Sequence, residues 1–378
     1  MIPLAITAVG LTSSLGLGSE QACAAARAGL VRVSSIDTLN TAIDPAFAKE
    51  TLDGVPPFVG HLAPAIGTGH AGLGKLMALG KPALEEVLQK ANLSSDDWIR
   101  TGLCLCVSDG FYQARFGTEP EPSGDSETVG HEAVWNDIAS KLGMRLCSSV
   151  DLPIGAAKQW VSMSGRLGLL GALEQASRWF AAEELDRCLI GTIESCVEPS
   201  ALLACGAAQV LKSDANPVGF MPGEAAAFLL VEPANAVMSG HAPVRVAAMS
   251  YALDAAYLDP DTQALGRGIS EVTAQLATGP AGMPPLLVTD LNGTEFRATD
   301  WGHALVHLRD RLGEFEADLW LPVESFGETG AATGGVALCM VFEAARRGHV
   351  PGTTALLVLC ADGGGRGGLL IETLAAVH

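Results

Sequence analysis

The stretch "VSMSGRLGLLGALEQASRWFAAEELDRCLIGTIES", residues 161–195, contains in one run the unit from which the chain is read. It opens on small and hydroxylated residues, Ser162, Ser164 and Gly165, which suit a turn. Leu169, Leu173, Ala176 and Phe180 then recur at spacings of four, three and four, which predicts a helix with one apolar face. "DRCLIGTIES" (186–195) follows as a short apolar run and predicts a buried strand. A turn, an amphipathic helix and a buried strand in succession point to an α/β protein.

The alternation extends in both directions. Residues 3–9 predict a first strand, "GSEQACAAARAGL" (18–30) a helix capped by Ser19, residues 69–92 a second helical region, and "GLCLCVSDG" (102–110) a strand running into a glycine turn. "GTEPEPSGDSETVGH" (117–131), rich in Pro, Gly and acidic residues, reads as an exposed loop. After 195, "EPSALLACGAAQVL" (198–211) reads as a helix and "VGFMPGEAAAFLLVEP" (218–233) as a glycine turn entering a strand. A first half thus closes near residue 235, giving segments 1–235 and 236–378. The second opens on a strand at 243–254, followed by a helix around 266–278, a strand at 286–291 and a helix around 301–313. Two short strands, 354–360 and 368–373, flank "ADGGGRGG". Echoes between the halves are too weak to mark an internal repeat.

Composition bounds the function. With 378 residues, 48% hydrophobic and 17% charged, the chain can bury a core large enough for one big domain or two fused ones. Twenty-three Lys and Arg against 42 Asp and Glu leave a net charge of −19, which argues against nucleic acid and repels anionic lipid and acidic carrier proteins. Arg346, Arg347 and His349 read as a solvated helix end. Nine cysteines, several of them (Cys104, Cys106, Cys188, Cys360) inside apolar runs, suit buried thiols in a reducing cytoplasm. No basic, apolar leader opens the sequence, and no apolar run approaches the roughly 18 residues of a bilayer span, so no membrane role is expected.

Five segments, in order, resemble the β-ketoacyl synthases of the thiolase-like superfamily: "AITAVGLTSSLGLGSEQACAAARAGL", "GTIESCVEPSALLACGAAQVL", "VGFMPGEAAAFLLVEP", "GETGAATGG" and "CADGGGRGGLLIET". The resemblance implies a five-layer αβαβα sandwich of two related halves, paired as a homodimer or with a close relative. It also implies acyl transfer to a cysteine at a helix N-terminus, where the helix end and backbone N–H groups favour thiolate and oxyanion. Decarboxylative condensation, assisted by two histidines, would follow.

The chemical positions depart from that pattern. Counting back without gaps from "DRCLIGTIES" puts Arg166 in the cysteine's place, whereas aligning the leucines puts Met163 there; Ser164 is the hydroxyl that could substitute. The family's "HGT" stands here as "NGT", with Asn292, and its "GHT" as "GET", with Glu328. The preceding lysine falls on Glu324, and the gate phenylalanine is replaced by "ADGGGRG", beginning at Ala361 and Asp362. A carboxylate about 4 Å from a developing enolate, at an effective dielectric of about 20, repels it by roughly 4 kcal/mol. That is about a thousandfold in rate. Arg166 at a helix N-terminus is itself disfavoured by about 0.3–1 kcal/mol, so it is expected to pair with Glu328 or Glu324 and fill the site as a structural plug.

The resemblance without its chemistry implies a pseudoenzyme of fatty acid or polyketide type. Its role would be a non-condensing, chain-length-factor-like partner of an active ketosynthase-like subunit, or a binding adaptor, with an acyl carrier protein as a further partner and no cofactor. The competing reading is acyl transfer or hydrolysis through Ser164, for which Lys158 and His303 are the conceivable bases. His303 and His307 share a helix face at i, i+4, but with no third ligand they read as surface histidines and no metal is expected. "GGGRGG" (363–368) lacks the Lys–Ser/Thr ending of a phosphate loop and reads as a tight turn, while Glu224 reads as architectural.

Overall fold

A computed structural model describes every residue except 1, 37–57, 64–65, 67–68, 95, 118–130, 214–215, 239–241, 255–264, 278–281 and 375–378. In the first half the elements run β1 (Leu4–Ser13), β2 (Gly16–Leu17), α1 (Ser19–Arg27), β3 (Ser34–Ile36), β4 (Phe58–Gly60), α2 (Leu73–Ala91), β5 (Thr101–Cys106), α3 (Phe111–Phe116), α4 (His131–Ser149), β6 (Gln159–Ser162), α5 (Gly168–Ala181), β7 (Arg187–Ser195), α6 (Pro199–Ala207) and β8 (Glu224–Pro233). They continue as β9 (Val244–Leu253), α7 (Arg267–Leu276), β10 (Leu286–Thr289), α8 (Glu295–Leu312), β11 (Asp318–Trp320), α9 (Val323–Phe326), α10 (Thr333–Arg346), β12 (Thr354–Cys360) and β13 (Gly365–Thr373).

The same sheet is built twice. The strands of the first half lie in the order β1-β8-β7-β5-β6 and those of the second in the order β9-β13-β12-β10-β11. In each set the first two pairings are antiparallel and the last two parallel. The halves meet where β1 runs antiparallel to β9 over only three residue pairs, Leu4 with Val246, Ala5 with Arg245 and Ile6 with Val244. The repeat that sequence echoes could not establish is therefore explicit in the topology.

Layering follows from side-chain alternation. On β5, Cys104 and Cys106 face a central core while Leu103 and Leu105 face an outer one built on α2 and α4. On β12, Leu357 and Leu359 face the same central core, and Leu356, Val358 and Cys360 face a second outer core with Ile269 of α7 and Trp301 of α8. Helices α5 and α10 lie between, each touching strands of both halves. The result is five layers, helix-sheet-helix-sheet-helix. Strands buried on both faces read as continuous apolar runs rather than alternating ones, which is why "GLCLC" and "TALLVLC" were legible as strands.

Some details differ from the sequence reading. Ser19 is the first residue of α1 and does not cap it; Gly18, with φ +118°, occupies that position, and the Ser19 hydroxyl instead donates to Glu343 at 2.7 Å. The loop expected at 117–131 falls, from 118 to 130, outside the described residues, and α4 follows directly, burying Ile138, Leu142 and Leu146 at spacings of four. All nine cysteines are buried and unpaired. Among the described residues no helix is long and apolar enough to cross a membrane.

The two central helices are entered by matching turns. Ser164 (φ −110°, ψ 20°) precedes Gly165 (φ +52°), and Thr329 (φ −109°, ψ 12°) precedes Gly330 (φ +55°). Both glycines are left-handed, and a Cβ on Gly330 would sit 2.2 Å from the Glu194 carboxylate. Gly330→Ala is expected to destabilise the fold by about 1–3 kcal/mol through strain and displacement of that carboxylate. An unchanged urea midpoint would contradict this account.

Candidate functional site

The short 3-10 segments that follow the two turns touch one another, so the entrances of α5 and α10 converge. The Glu328 main chain is held by the first half: its N–H donates to the Met221 carbonyl and its carbonyl accepts from the Gly223 N–H, each at 2.8 Å. Arg166, one residue past Gly165, is buried and reaches across the junction. Its Nη2 lies 2.7 Å from Glu328 Oε2, its Nη1 donates to Asp362, and its Nε lies 3.5 Å from Asp290. Arg297, on the buried side of α8, pairs with Asp290 at 3.0 Å and Asp362 at 2.8 Å, and donates to the Cys360 carbonyl at 2.8 Å. Asn292 Nδ2 donates to Glu328 Oε2 at 2.7 Å, while its Oδ1 accepts from the Thr294 hydroxyl at 2.9 Å. The Tyr112 hydroxyl donates to Asp362 at 3.2 Å.

Two guanidinium groups thus serve three buried carboxylates. Burial opposes ionisation of Glu328, but Arg166, Arg297 and the Asn292 amide outweigh it and hold the acid below the usual carboxylate range. Asp362 is held low by the same contest between burial and the two arginines. Burial likewise opposes charge on Arg166, yet Asp362, Glu328 and Asp290 keep it firmly protonated. Glu194 behaves in the opposite sense. Half-buried beside the second turn and accepting from the Ala331 N–H at 2.5 Å, it is pushed up to about 7, the loss of solvent exceeding the help of its donors. Glu198 is raised to about 7 as well, again by burial.

Arg166, Asn292 and Glu328 are therefore brought together, with Glu328 as the carboxylate that meets Arg166. Glu324 is not: it is exposed on α9 and lines a different cavity. Ser164 is exposed in its turn, and among the described residues its one side-chain hydrogen bond is accepted from the Ser162 hydroxyl at 2.8 Å. Lys158 precedes β6 while Ser164 follows it, about 20 Å along an extended chain, and the Lys158 ammonium donates to the Ile99 carbonyl. His303 is exposed on α8, and His307 Nε2 lies 3.1 Å from the Leu265 carbonyl. Among the described residues no group of three His, Cys, Asp or Glu side chains could hold a metal ion. Met163, the alternative place for the thiol, precedes its turn as Glu328 precedes the other.

Sequence reasoning missed Asp290, Arg297, Tyr112 and Glu194. The available signal was a charged residue inside an apolar strand, as in "IGTIES" and "LLVTDLN", since a buried charge requires a partner. The space left beside Arg166, bounded by Tyr112, Glu194, Glu328 and Asp362, is about 40 Å³. It admits a water or so and no acyl chain.

No protein-family profile and no curated protein sequence matches the chain. Solved structures do. A chain of the AntDE:AntF complex, a type II polyketide acyl-carrier protein with its ketosynthase bound to the hexaketide, superposes with a TM-score of 0.74 at 14% identity, covering 99% of this chain and 100% of that one. The ishigamide ketosynthase/chain length factor gives 0.65 at 19% identity, with the same coverages of 99% and 100%. A β-ketoacyl synthase from Burkholderia phymatum gives 0.71 at 17% identity, again covering 99% and 100%. The fold is thiolase-like, of the kind found in ketosynthases and chain length factors. At 14–19% identity the likeness is one of fold, and function has to be argued from the site.

Two outcomes follow. Arg166→Met strands carboxylates in the interior and is expected to cost about 3–5 kcal/mol by denaturant unfolding, with Arg166→Met/Glu328→Gln recovering part of the loss; equal stability of single variant and parent would refute the network. Because Glu194 and Glu198 rise from 4.5 to about 7, the folded chain binds more protons than the unfolded one across that window. Stability from these groups therefore falls as pH rises through it. Glu328 and Asp362, held low, act in the opposite sense and lose their contribution only in acid below the ordinary carboxylate range. Calorimetric melting from about pH 5 to 8 should show a shallower decline in Glu194→Gln/Glu198→Gln than in the parent.

Proposed function

We propose that this chain is a β-ketoacyl-synthase-like protein that has lost condensation chemistry and works as a non-condensing partner, in the manner of a chain length factor, or as a binding subunit. The observation that carries the reading is the Arg166 guanidinium, buried at the convergence of the two turns and bonded to Glu328 and Asp362. It occupies the region where the family resemblance calls for a thiol and imidazoles. Glu328 is ionised and committed to Arg166 and Asn292, so it neither donates a hydrogen bond to an enolate nor accepts a carboxylate neighbour without repulsion. The remaining 40 Å³ is too small for a thioester-linked chain.

The partner on this reading is a second copy or an active ketosynthase-like subunit. The ishigamide structure, a ketosynthase with its chain length factor, supports that direction. The AntDE:AntF structure, an acyl-carrier protein with its ketosynthase, supports a carrier as a further partner, although a net charge of −19 makes direct docking of an acidic carrier unfavourable outside a local basic patch. The two halves divide near residue 235, between β8 and β9, and buried free thiols suit the reducing cytoplasm.

Incubation with acyl-thioesters and malonyl donors, followed by intact-mass and product analysis, is expected to give no adduct and no elongated chain, while a cysteine-bearing homologue co-purifies with the protein. Elongation by the purified chain alone overturns the reading. An acyl adduct abolished by Ser164→Ala would replace it with Ser164 chemistry.

A further inference from the structure

The roomiest of the described cavities is separate from the Arg166 network and shares no lining residue with it. It measures about 230 Å³ and lies between α1, α10 and the segment from β11 to α9. Its walls are set by helical spacing: α1 presents Cys23, Ala24 and Arg27 on one face, and α10 presents Met340 and Ala344 on another. Trp320 supplies an aromatic wall.

The charges around it fall into two groups. Glu343 is already satisfied by the Ser19 hydroxyl at 2.7 Å, by Arg346 at 3.0 Å and by Lys90 at 3.4 Å. Glu20 is engaged by Arg346 and, at 3.3 Å, by Arg347. Arg27 and Glu324 remain. Both line the cavity, both are exposed, and neither side chain has an ion-pair or hydrogen-bond partner among the described residues. One cation and one anion, unpaired with each other, thus border a floor of sulfur, methyl and indole groups.

We propose that this cavity binds a small zwitterion with an apolar side chain, an α-amino acid of the size of leucine or methionine. Its carboxylate meets the Arg27 guanidinium, its ammonium meets Glu324, and its side chain lies against Cys23, Met340 and Trp320. The volume equals about eight waters at roughly 30 Å³ each, close to the roughly nine non-hydrogen atoms of such a ligand. A guanidinium–carboxylate bond supplies orientation, and the apolar floor supplies selectivity for side chains over glycine. The inference does not depend on the role assigned to Arg166.

Calorimetric titration of the full chain with L-leucine, L-methionine and glycine tests it, alongside 4-methylpentanoate, which lacks the ammonium, and 3-methylbutylamine, which lacks the carboxylate. Leucine or methionine is expected to bind, and each control at least about tenfold more weakly. Arg27→Ala and Glu324→Ala, exposed positions whose loss leaves the core intact, should each weaken binding by about ten- to hundredfold. Ala344→Trp should fill the cavity and abolish binding. No heat at millimolar ligand, equal binding of 4-methylpentanoate, or unchanged affinity in Arg27→Ala would each overturn the proposal.

Discussion

The Arg166 guanidinium is the constraint on which the interior is organised. The idealised cost of burying such an ion is of order 20 kcal/mol, and several kcal/mol remain after relaxation, so it persists only with excellent partners. Those partners, Glu328, Asp362 and Asp290, all come from the second half of the chain, whereas Arg166 comes from the first. Glu194 makes the return connection, from β7 to the Ala331 N–H. Because β1 and β9 share only three residue pairs, these charged bonds join the packing of α5 and α10, the main-chain bonds of Glu328 to Met221 and Gly223, and the ion pairs of Glu343 and Glu20 in fastening one half to the other.

A catalytic pocket and a structural joint make opposite demands on the same place. The first needs donors free to meet a developing charge and room for a substrate; the second needs every donor already used. Here Asn292, Arg297 and Tyr112 all direct their donors at resident carboxylates. Asp109, Glu194 and Glu198, nearby carboxyls that no guanidinium pairs with among the described residues, are instead raised toward neutrality by desolvation.

Most of the long strands were legible because burial on both faces writes uninterrupted apolar runs, and α5 because its apolar residues recur at helical spacing, whereas α10, with small and apolar residues all round, was not read as a helix. Pairing of Arg166 with Glu328 was legible because a cation at a helix N-terminus needs an anion. The position of Glu324 was not: it is a few residues from Glu328 in sequence, yet Gly327, with φ +73°, turns the chain between them and leaves Glu324 facing outward. Arg297 was hidden for a different reason. It sits on a polar helix whose pattern suggests solvent, and only the tertiary approach of Asp290 and Asp362 makes it an interior residue. The duplication was invisible because what the halves share is strand order and a left-handed glycine, Gly165 and Gly330, rather than side-chain chemistry.

The second of those glycine turns has a wider consequence. The amide protons at the head of α10 are already claimed, Gly330 by Glu328 and Ala331 by Glu194. A helix entrance ordinarily welcomes negative charge from outside, but here the N–H groups are already bonded to carboxyl oxygens of the polypeptide itself. A phosphate or carboxylate guest would first have to evict a tethered acid, whose effective concentration no dissolved competitor readily matches.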